Sequence, residues 1–163
     1  STIIDIHGDL HIGQVLRSSR DDGLSIIDFD GSPTRSPEQR LARQPPALDV
    51  AGMLASLDHV GRVVLHRTEG LDDGRRSRVH DWIAAAQRGF LDAYLCRIAE
   101  AGEESLLDAR LVRPFQLQQE CREFVYAARY LPHWRYAPEG ALVALLGSEF
   151  ERPSITMRER HET

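Results

Sequence analysis

Asp9, Gln14 and Asp28 are the residues of this chain whose types and order can do chemistry together. Asp9 stands in His7-Gly8-Asp9-Leu10-His11-Ile12-Gly13-Gln14, five positions before the amide of Gln14. Asp28 follows fourteen positions later, where the apolar run Leu24-Ser25-Ile26-Ile27 meets Phe29-Asp30-Gly31. Phosphoryl transfer to a hydroxyl needs a base that orients and deprotonates the acceptor, and oxygen ligands that hold Mg²⁺ against the phosphate; loops built for it carry Asp, an amide and a second Asp in this order. On that reading Asp9 is the base, and Gln14 and Asp28 are the ligands, Mg²⁺ preferring hard oxygens and keeping several waters. Each residue has an ordinary alternative when taken singly. Asp9 could be a turn residue bonding its own backbone, and Gln14 a polar strand position. Asp28 resists such a reading, because a carboxylate ending an apolar strand is costly without a cation or hydrogen bonds. The spacing of the three decides for phosphoryl transfer.

The neighbours of these residues carry supporting roles and one rival. His7 and His11 flank Asp9 at two positions on either side, and were residues 7–11 a strand, the three side chains would share one face, as in a mononuclear zinc hydrolase. Gly8 and Gly13 argue for a loop instead, with His7 orienting its backbone and His11 supporting it from outside. The metal-dependent hydrolase using His7, Asp9 and His11 stays as the reading of another class, beside a non-catalytic helical binding module. Asp30 is either a second metal ligand or a loop cap. Asp49 is either a helix cap, where Asp is favoured, or a hydrogen-bond acceptor for the catalytic loop.

The elements that must position these residues follow from pattern. Thr2 to Ile6 is a short strand candidate, and Val15-Leu16-Arg17 and Leu24 to Phe29 pair across the polar, Gly-containing turn 18–23 as a small hairpin. Residues 31–46 hold four Pro and three Arg and read as an irregular loop with one helical turn after Ser36-Pro37-Glu38. From residue 47 the apolar period becomes helical, predicting helices over 47–66, 77–101, 113–131 and 138–146, a short piece near 103–109, and a polar tail over 148–163. The fold expected is α+β and mostly helical, with the hairpin in residues 1–30 carrying the catalytic loop, the loop in 31–46 and a helical part in 47–147.

The helix over 113–131 and its exit collect Glu120, Glu123, Tyr126, Tyr130, His133, Trp134 and Tyr136. Such a cluster can be core and rim. As a ligand site it is a sugar platform, aromatic faces stacking on a pyranose while carboxylates accept from hydroxyls or pair with an ammonium, and Glu120, Glu123, Tyr130 and Trp134 are its candidate contacts. His59, His66 and His80 have no motif around them and are assigned to surface or core.

Composition narrows the partners. The 163 residues suit a single domain, and the net charge of −5 disfavours nucleic acid, whose phosphates need a basic face. No apolar run reaches membrane-spanning length and no signal-peptide pattern opens the chain, so a cytoplasmic location without a membrane partner is expected. Cys96 and Cys121 are too few for a disulfide framework or a zinc knuckle. All 20 basic residues are Arg. The phosphate-clamping Lys is therefore absent, as is any Gly-rich phosphate loop.

The segment from His7 to Gln14 resembles the catalytic loop of the aminoglycoside phosphotransferase-like kinases. Within that group, Gly13-Gln14-Val15-Leu16 with Asp28-Phe29-Asp30-Gly31, the Pro/Arg loop and Asp49-Val50-Ala51-Gly52-Met53-Leu54 is similar to the actinobacterial maltokinases and the related glucosamine kinases. The resemblance implies Asp9 as the catalytic Asp, Gln14 and Asp28 as Mg²⁺ ligands, ATP as co-substrate and a sugar as acceptor. It implies that residues 1–147 form the C-terminal lobe of a protein-kinase-like fold. The nucleotide-binding N-terminal lobe would be absent, these residues alone inactive, and the exposed lobe face open to self-association. Maltokinases carry Glu where Asp30 stands and differ along the helix from Glu120 to Tyr130, which moves the expected acceptor to glucosamine, with maltose or an aminoglycoside as alternatives.

Overall fold

The computed structural model describes residues 2–33 and 35–150, and of residues 148–150 the backbone alone. The chain enters through one antiparallel bridge, Ile4 to Gln44, closed by two backbone hydrogen bonds of 3.0 Å. A 3-10 turn over Ile12–Gln14 leads into β1 (Val15–Arg17), which pairs with β2 (Leu24–Ile26) in the register Val15 to Ile26, Leu16 to Ser25 and Arg17 to Leu24. Five helices follow: α1 (Pro37–Leu41), α2 (Ala47–Arg67), α3 (Asp73–Glu100), α4 (Val112–Tyr130) and α5 (Tyr136–Phe150). The fold is mostly helical with one two-stranded antiparallel sheet.

Local chemistry explains the element ends. Ser36 closes a capping box with Gln39 ahead of α1, with Pro37 in the first turn, where its missing N–H costs nothing. Asp72 caps α3, its Oδ1 accepting from the Arg75 N–H at 2.7 Å. That cap starts α3 at Asp73, four residues before the apolar period indicates. α5 also exceeds its expected range at both ends, so 148–150 are helical and 151–163 of the expected tail lie outside the described residues. The piece near 103–109 is two 3-10 turns, Glu104–Leu106 and Ala109–Leu111. The strand expected over Thr2 to Ile6 shrinks to its single bridge, because Gln44 alone offers it a backbone partner. The returning strand stops at Ile26 and does not carry Asp28, which adopts a left-handed φ of 65° and turns the chain away.

α2 is the central helix, with α3, α4 and α5 all packed on it. Its Ala47, Val50 and Leu54 join Leu107 and Val112 in the buried cluster, with Phe90, Tyr94 and Phe115 closing the edges. α3 runs for 28 residues with Ile83 as its buried residue. The contact to α2 is close there: a side chain on Gly61 would collide with Ile83, so the two helix backbones approach through the glycine. No described helix is long and apolar enough to cross a membrane.

Two glycine substitutions separate this packing from helix propensity. Gly89→Ala in α3 meets nothing within 4 Å and should gain up to about 1 kcal/mol in urea unfolding. Gly61→Ala has the same propensity gain but overpacks Ile83, at a cost of about 1–3 kcal/mol, and should be the less stable variant. Equal stability of the two would contradict the close α2 to α3 approach.

Candidate active site

One face of α2 carries the loop that contains Asp9. Asp49, Gly52, Ser56 and His59 are three, four and three positions apart and so line up along the helix. The Asp49 carboxylate accepts from the His7 N–H at 2.7 Å and from the Gly8 N–H at 2.8 Å. Burial pushes its carboxyl above the ordinary value, opposed by those two amides. One turn on, a Cβ at Gly52 would lie 2.7 Å from the Leu10 carbonyl oxygen, so only glycine lets the loop rest on the helix. Ser56 Oγ then accepts from the Ile12 N–H at 3.0 Å. A segment without regular structure has its amides satisfied by side chains of one helix.

His7 ties this loop to the hairpin. It is 5% exposed, its Nδ1 accepts from the Asp9 N–H at 3.3 Å, and its Nε2 lies 2.8 Å from the Ile27 carbonyl, roles that assign the Nε2–H tautomer. Phe29 packs against the ring at 4.8 Å. His11 Nδ1 accepts from the Gly13 N–H at 3.1 Å and caps the 3-10 turn. Both histidines are thus engaged with backbone, and among the described residues no three His, Cys, Asp or Glu side chains converge as a metal site. This corrects the hydrolase alternative: residues 7–11 are a loop, and His7, Asp9 and His11 do not share a face.

Gln14 and Asp28 are adjacent, Gln14 Nε2 donating to Asp28 Oδ2 at 2.9 Å, while Gln14 O accepts from the Ile27 N–H at 3.0 Å. Among the described residues, Gln14 Oε1 and Asp28 Oδ1 accept no hydrogen bond. A side-chain amide oxygen and a carboxylate are hard ligands of the kind Mg²⁺ takes, its octahedron completed by waters and phosphate oxygens. Asp30 is exposed and makes no hydrogen bond among the described residues. Asp9 is half-buried, and its carboxylate has no partner among them.

Asp9 opens onto a cleft of about 910 Å³ between the loop 8–11, Ser32, Pro33 and Arg35, α2 and α4. Glu123, Tyr126 and Tyr130 line the α4 wall, and Ser56 and His59 the α2 wall. Glu123 accepts from Gln119 Nε2 at 3.2 Å. The Tyr126 and Tyr130 rings lie 5.0 Å apart and stay 43% and 65% exposed.

Glu120 and Trp134 differ from the expected arrangement. Glu120 is 1% exposed and does not line the cleft; with Ala127, seven positions on, it forms the α4 seam buried against α2. Its Oε2 lies 2.9 Å from His59 Nε2. Trp134, in the 3-10 turn Pro132–Trp134, packs edge-on to His59 at 6.1 Å and against Tyr136 at 5.7 Å, behind the wall. Burial opposes the charge of His59, but the Glu120 carboxylate outweighs it and leaves the imidazole above its ordinary pKa. Burial prevails at Glu120, whose carboxyl is also held above its ordinary value. His59 is the cleft residue that sequence reasoning missed. The signal that could have found it was its place ten residues after Asp49 on one helical face.

No protein-family model matches the chain. A glucosamine kinase of Streptacidiphilus jiangxiensis is 53% identical over 144 residues, 88% of this chain and 32% of the relative. A glucosamine kinase of Mycolicibacterium smegmatis is 44% identical over 141 residues, 86% of this chain and 34% of the relative. Among solved structures, a glucosamine kinase in complex with glucosamine, ADP and inorganic phosphate matches with a TM-score of 0.84 at 51% identity, over 91% of this chain and 36% of that one. A second glucosamine kinase structure, crystal form B, gives 0.82 at 52% identity, over 90% of this chain and 35% of that one. The chain spans about a third of the length of the curated relatives it matches.

The Asp49 contacts are open to test. Asp49→Ala leaves two loop amides without their acceptor and should cost about 2–4 kcal/mol in urea unfolding, charge-assisted hydrogen bonds contributing more than neutral ones. Amide exchange at His7 and Gly8 should speed up ahead of exchange in α2. Unchanged protection at both would contradict the role of Asp49.

Proposed function

We propose that this chain is the catalytic and acceptor-binding lobe of an ATP- and Mg²⁺-dependent sugar kinase of the aminoglycoside phosphotransferase-like kind, with glucosamine as the acceptor. The observation that carries the reading is the cleft itself. It sets the Asp9 carboxylate, which has no partner among the described residues, across from Glu123 and two exposed tyrosine rings, while Gln14 and Asp28, bonded to each other, lie outside the cleft lining. The names and the ligands of the similar proteins support it, as does the match over most of this chain.

Asp9 accepts the proton of the attacking sugar hydroxyl and holds that oxygen in line for the phosphoryl group. The side-chain oxygen of Gln14 and the carboxylate of Asp28 would hold Mg²⁺, which when bound neutralises charge on the transferred group. Tyr126 and Tyr130 offer faces for the apolar side of a pyranose. Glu123 pairs with an ammonium, which a neutral hexose lacks. The 163 residues contain no Lys and no Gly-rich loop, so the cover over the ATP phosphates comes from a further lobe. The hairpin side chains Leu24 and Ile26, 69% and 47% exposed, share one face of the sheet, the apolar face that lobe would cover. A second copy of the chain is its other candidate occupant.

Isothermal titration of the chain with glucosamine and with glucose tests the acceptor. Glu123→Gln should weaken glucosamine roughly ten- to hundredfold, the loss of a charge-assisted hydrogen bond, and leave glucose within twofold. Equal effects on both sugars would overturn the ammonium assignment.

The metal assignment is read in a kinase that joins this chain to a nucleotide-binding lobe. Asp28→Asn should lower kcat on the order of a hundredfold, since the amide stabilises less transition-state charge, with the KM for glucosamine little changed. Wild-type kcat at limiting Mg²⁺ would contradict it.

A further inference from the structure

The paired His59 and Glu120 have no part in the reaction as derived, yet His59 lines the cleft and Glu120 backs it from the buried α4 seam. Glu120 is 1% exposed and has His59 as its hydrogen-bond partner at 2.9 Å. A buried ion pair of this kind is a weak source of stability, since a well-packed apolar pair of similar volume often does as well or better. Its retention where a ligand would rest calls for another explanation.

The surroundings show which part of His59 is free. Nε2 is turned to Glu120 of α4, and the Trp134 ring closes one edge. Asp58, the preceding residue of α2, is paired with Arg62 through both carboxylate oxygens, Nη2 to Oδ1 at 3.1 Å and Nε to Oδ2. Glu123 of α4 is bonded by Gln119. Glu120, Asp58 and Glu123 all favour the protonated imidazole, against its burial. An imidazolium has two N–H donors. Nε2–H is spent on Glu120, Nδ1–H has no acceptor among the described residues, and the ring lines the cleft.

We propose that His59 is a binding residue for the acceptor, donating its Nδ1–H to a sugar hydroxyl in the cleft, and that Glu120 is the positioning residue that fixes the ring through Nε2. The inference rests on the sugar-kinase reading and adds a recognition element to it. Glu123 selects the amino sugar; His59 grips a hydroxyl that glucose and glucosamine share. His59 lines the same cleft as Asp9, Tyr126 and Tyr130, so one ligand there can meet all four.

The test uses the 163-residue chain, with glucose and glucosamine as probes, and reads both affinity and the ¹⁵N signals of the His59 ring. Both sugars should move the Nδ1 resonance with the same saturation curve as calorimetric binding. His59→Gln keeps an amide near the Nε2 position and so its contact with Glu120, but removes the donor at Nδ1. It should unfold at the wild-type urea midpoint and bind both sugars about tenfold more weakly, the loss of one charge-assisted hydrogen bond.

Glu120→Gln supplies a readout that a purely structural role would not move. Without the carboxylate, burial lowers the His59 pKa, so the several-fold fall of glucose affinity with rising pH should come at lower pH in Glu120→Gln than in the wild type, whose imidazole is held above its ordinary pKa. Wild-type sugar affinity in His59→Gln, or an unmoved Nδ1 signal at saturation, overturns the proposal with the sugar-kinase reading intact. Failure of the wild-type chain to bind either sugar overturns both.

Discussion

A single carboxylate anchors the chemistry to the fold. Asp49 lies in the first turn of α2 and takes the amides of both His7 and Gly8, at 2.7 and 2.8 Å, in half-buried surroundings where such hydrogen bonds are strong. The residues around Asp9 form no helix or strand of any length, so their backbone groups must be satisfied by something rigid. α2 is that element, because the other long helices pack on it. Gly52 and Ser56 extend the support, one by leaving room for the Leu10 carbonyl and the other by accepting from Ile12. The position of Asp9 is in this way fixed by the core of the helical bundle, the kind of rigid support that a catalytic constellation needs.

The same helix builds the cleft from below. α4 crosses it with a seam of Glu120 and Ala127, which leaves Glu123, Tyr126 and Tyr130 on the rim. A buried acid in a helix seam has to be paired, and His59 meets that demand from α2. That polar contact links the two helices behind the cleft that His59 lines. The hairpin stands in contrast. Its side chains Leu16, Leu24 and Ile26 are exposed, and its ties to the bundle run through His7 and Phe29 and through the Ile4 to Gln44 bridge.

Much of this was legible in the sequence, because the relevant signals are local. The helical period from residue 47, the Pro37 start and the hairpin turn each depend on neighbouring residues alone, and the structure has helices and hairpin where they indicate. The order Asp9, Gln14, Asp28 likewise marks a loop whose spacing is set within one short segment. Other features are set by distant contacts. Asp28 leaves the strand because its left-handed turn follows the hydrogen bond from Ile27 to Gln14, which periodicity cannot register. Three-residue spacing alone puts Glu120 and Glu123 on one helical face. Which of the two acids is buried depends on α2 lying across that face, and the pairing with His59 spans sixty-one positions of chain. Trp134 reads as a sugar platform by composition, but the 3-10 turn after α4 folds it against His59 and Tyr136 instead.

The central claim is that the face of α2 from Asp49 to His59 sets both the base and the acceptor cleft in one frame. A crystal structure of the chain grown with glucosamine tests it most directly. The account predicts the sugar between loop 8–11 and α4, a hydroxyl within hydrogen-bond distance of Asp9, the amino group at Glu123 and a second hydroxyl at His59 Nδ1. A sugar bound elsewhere on the surface, or held in the cleft with Asp9 and Glu123 both out of reach, would contradict it.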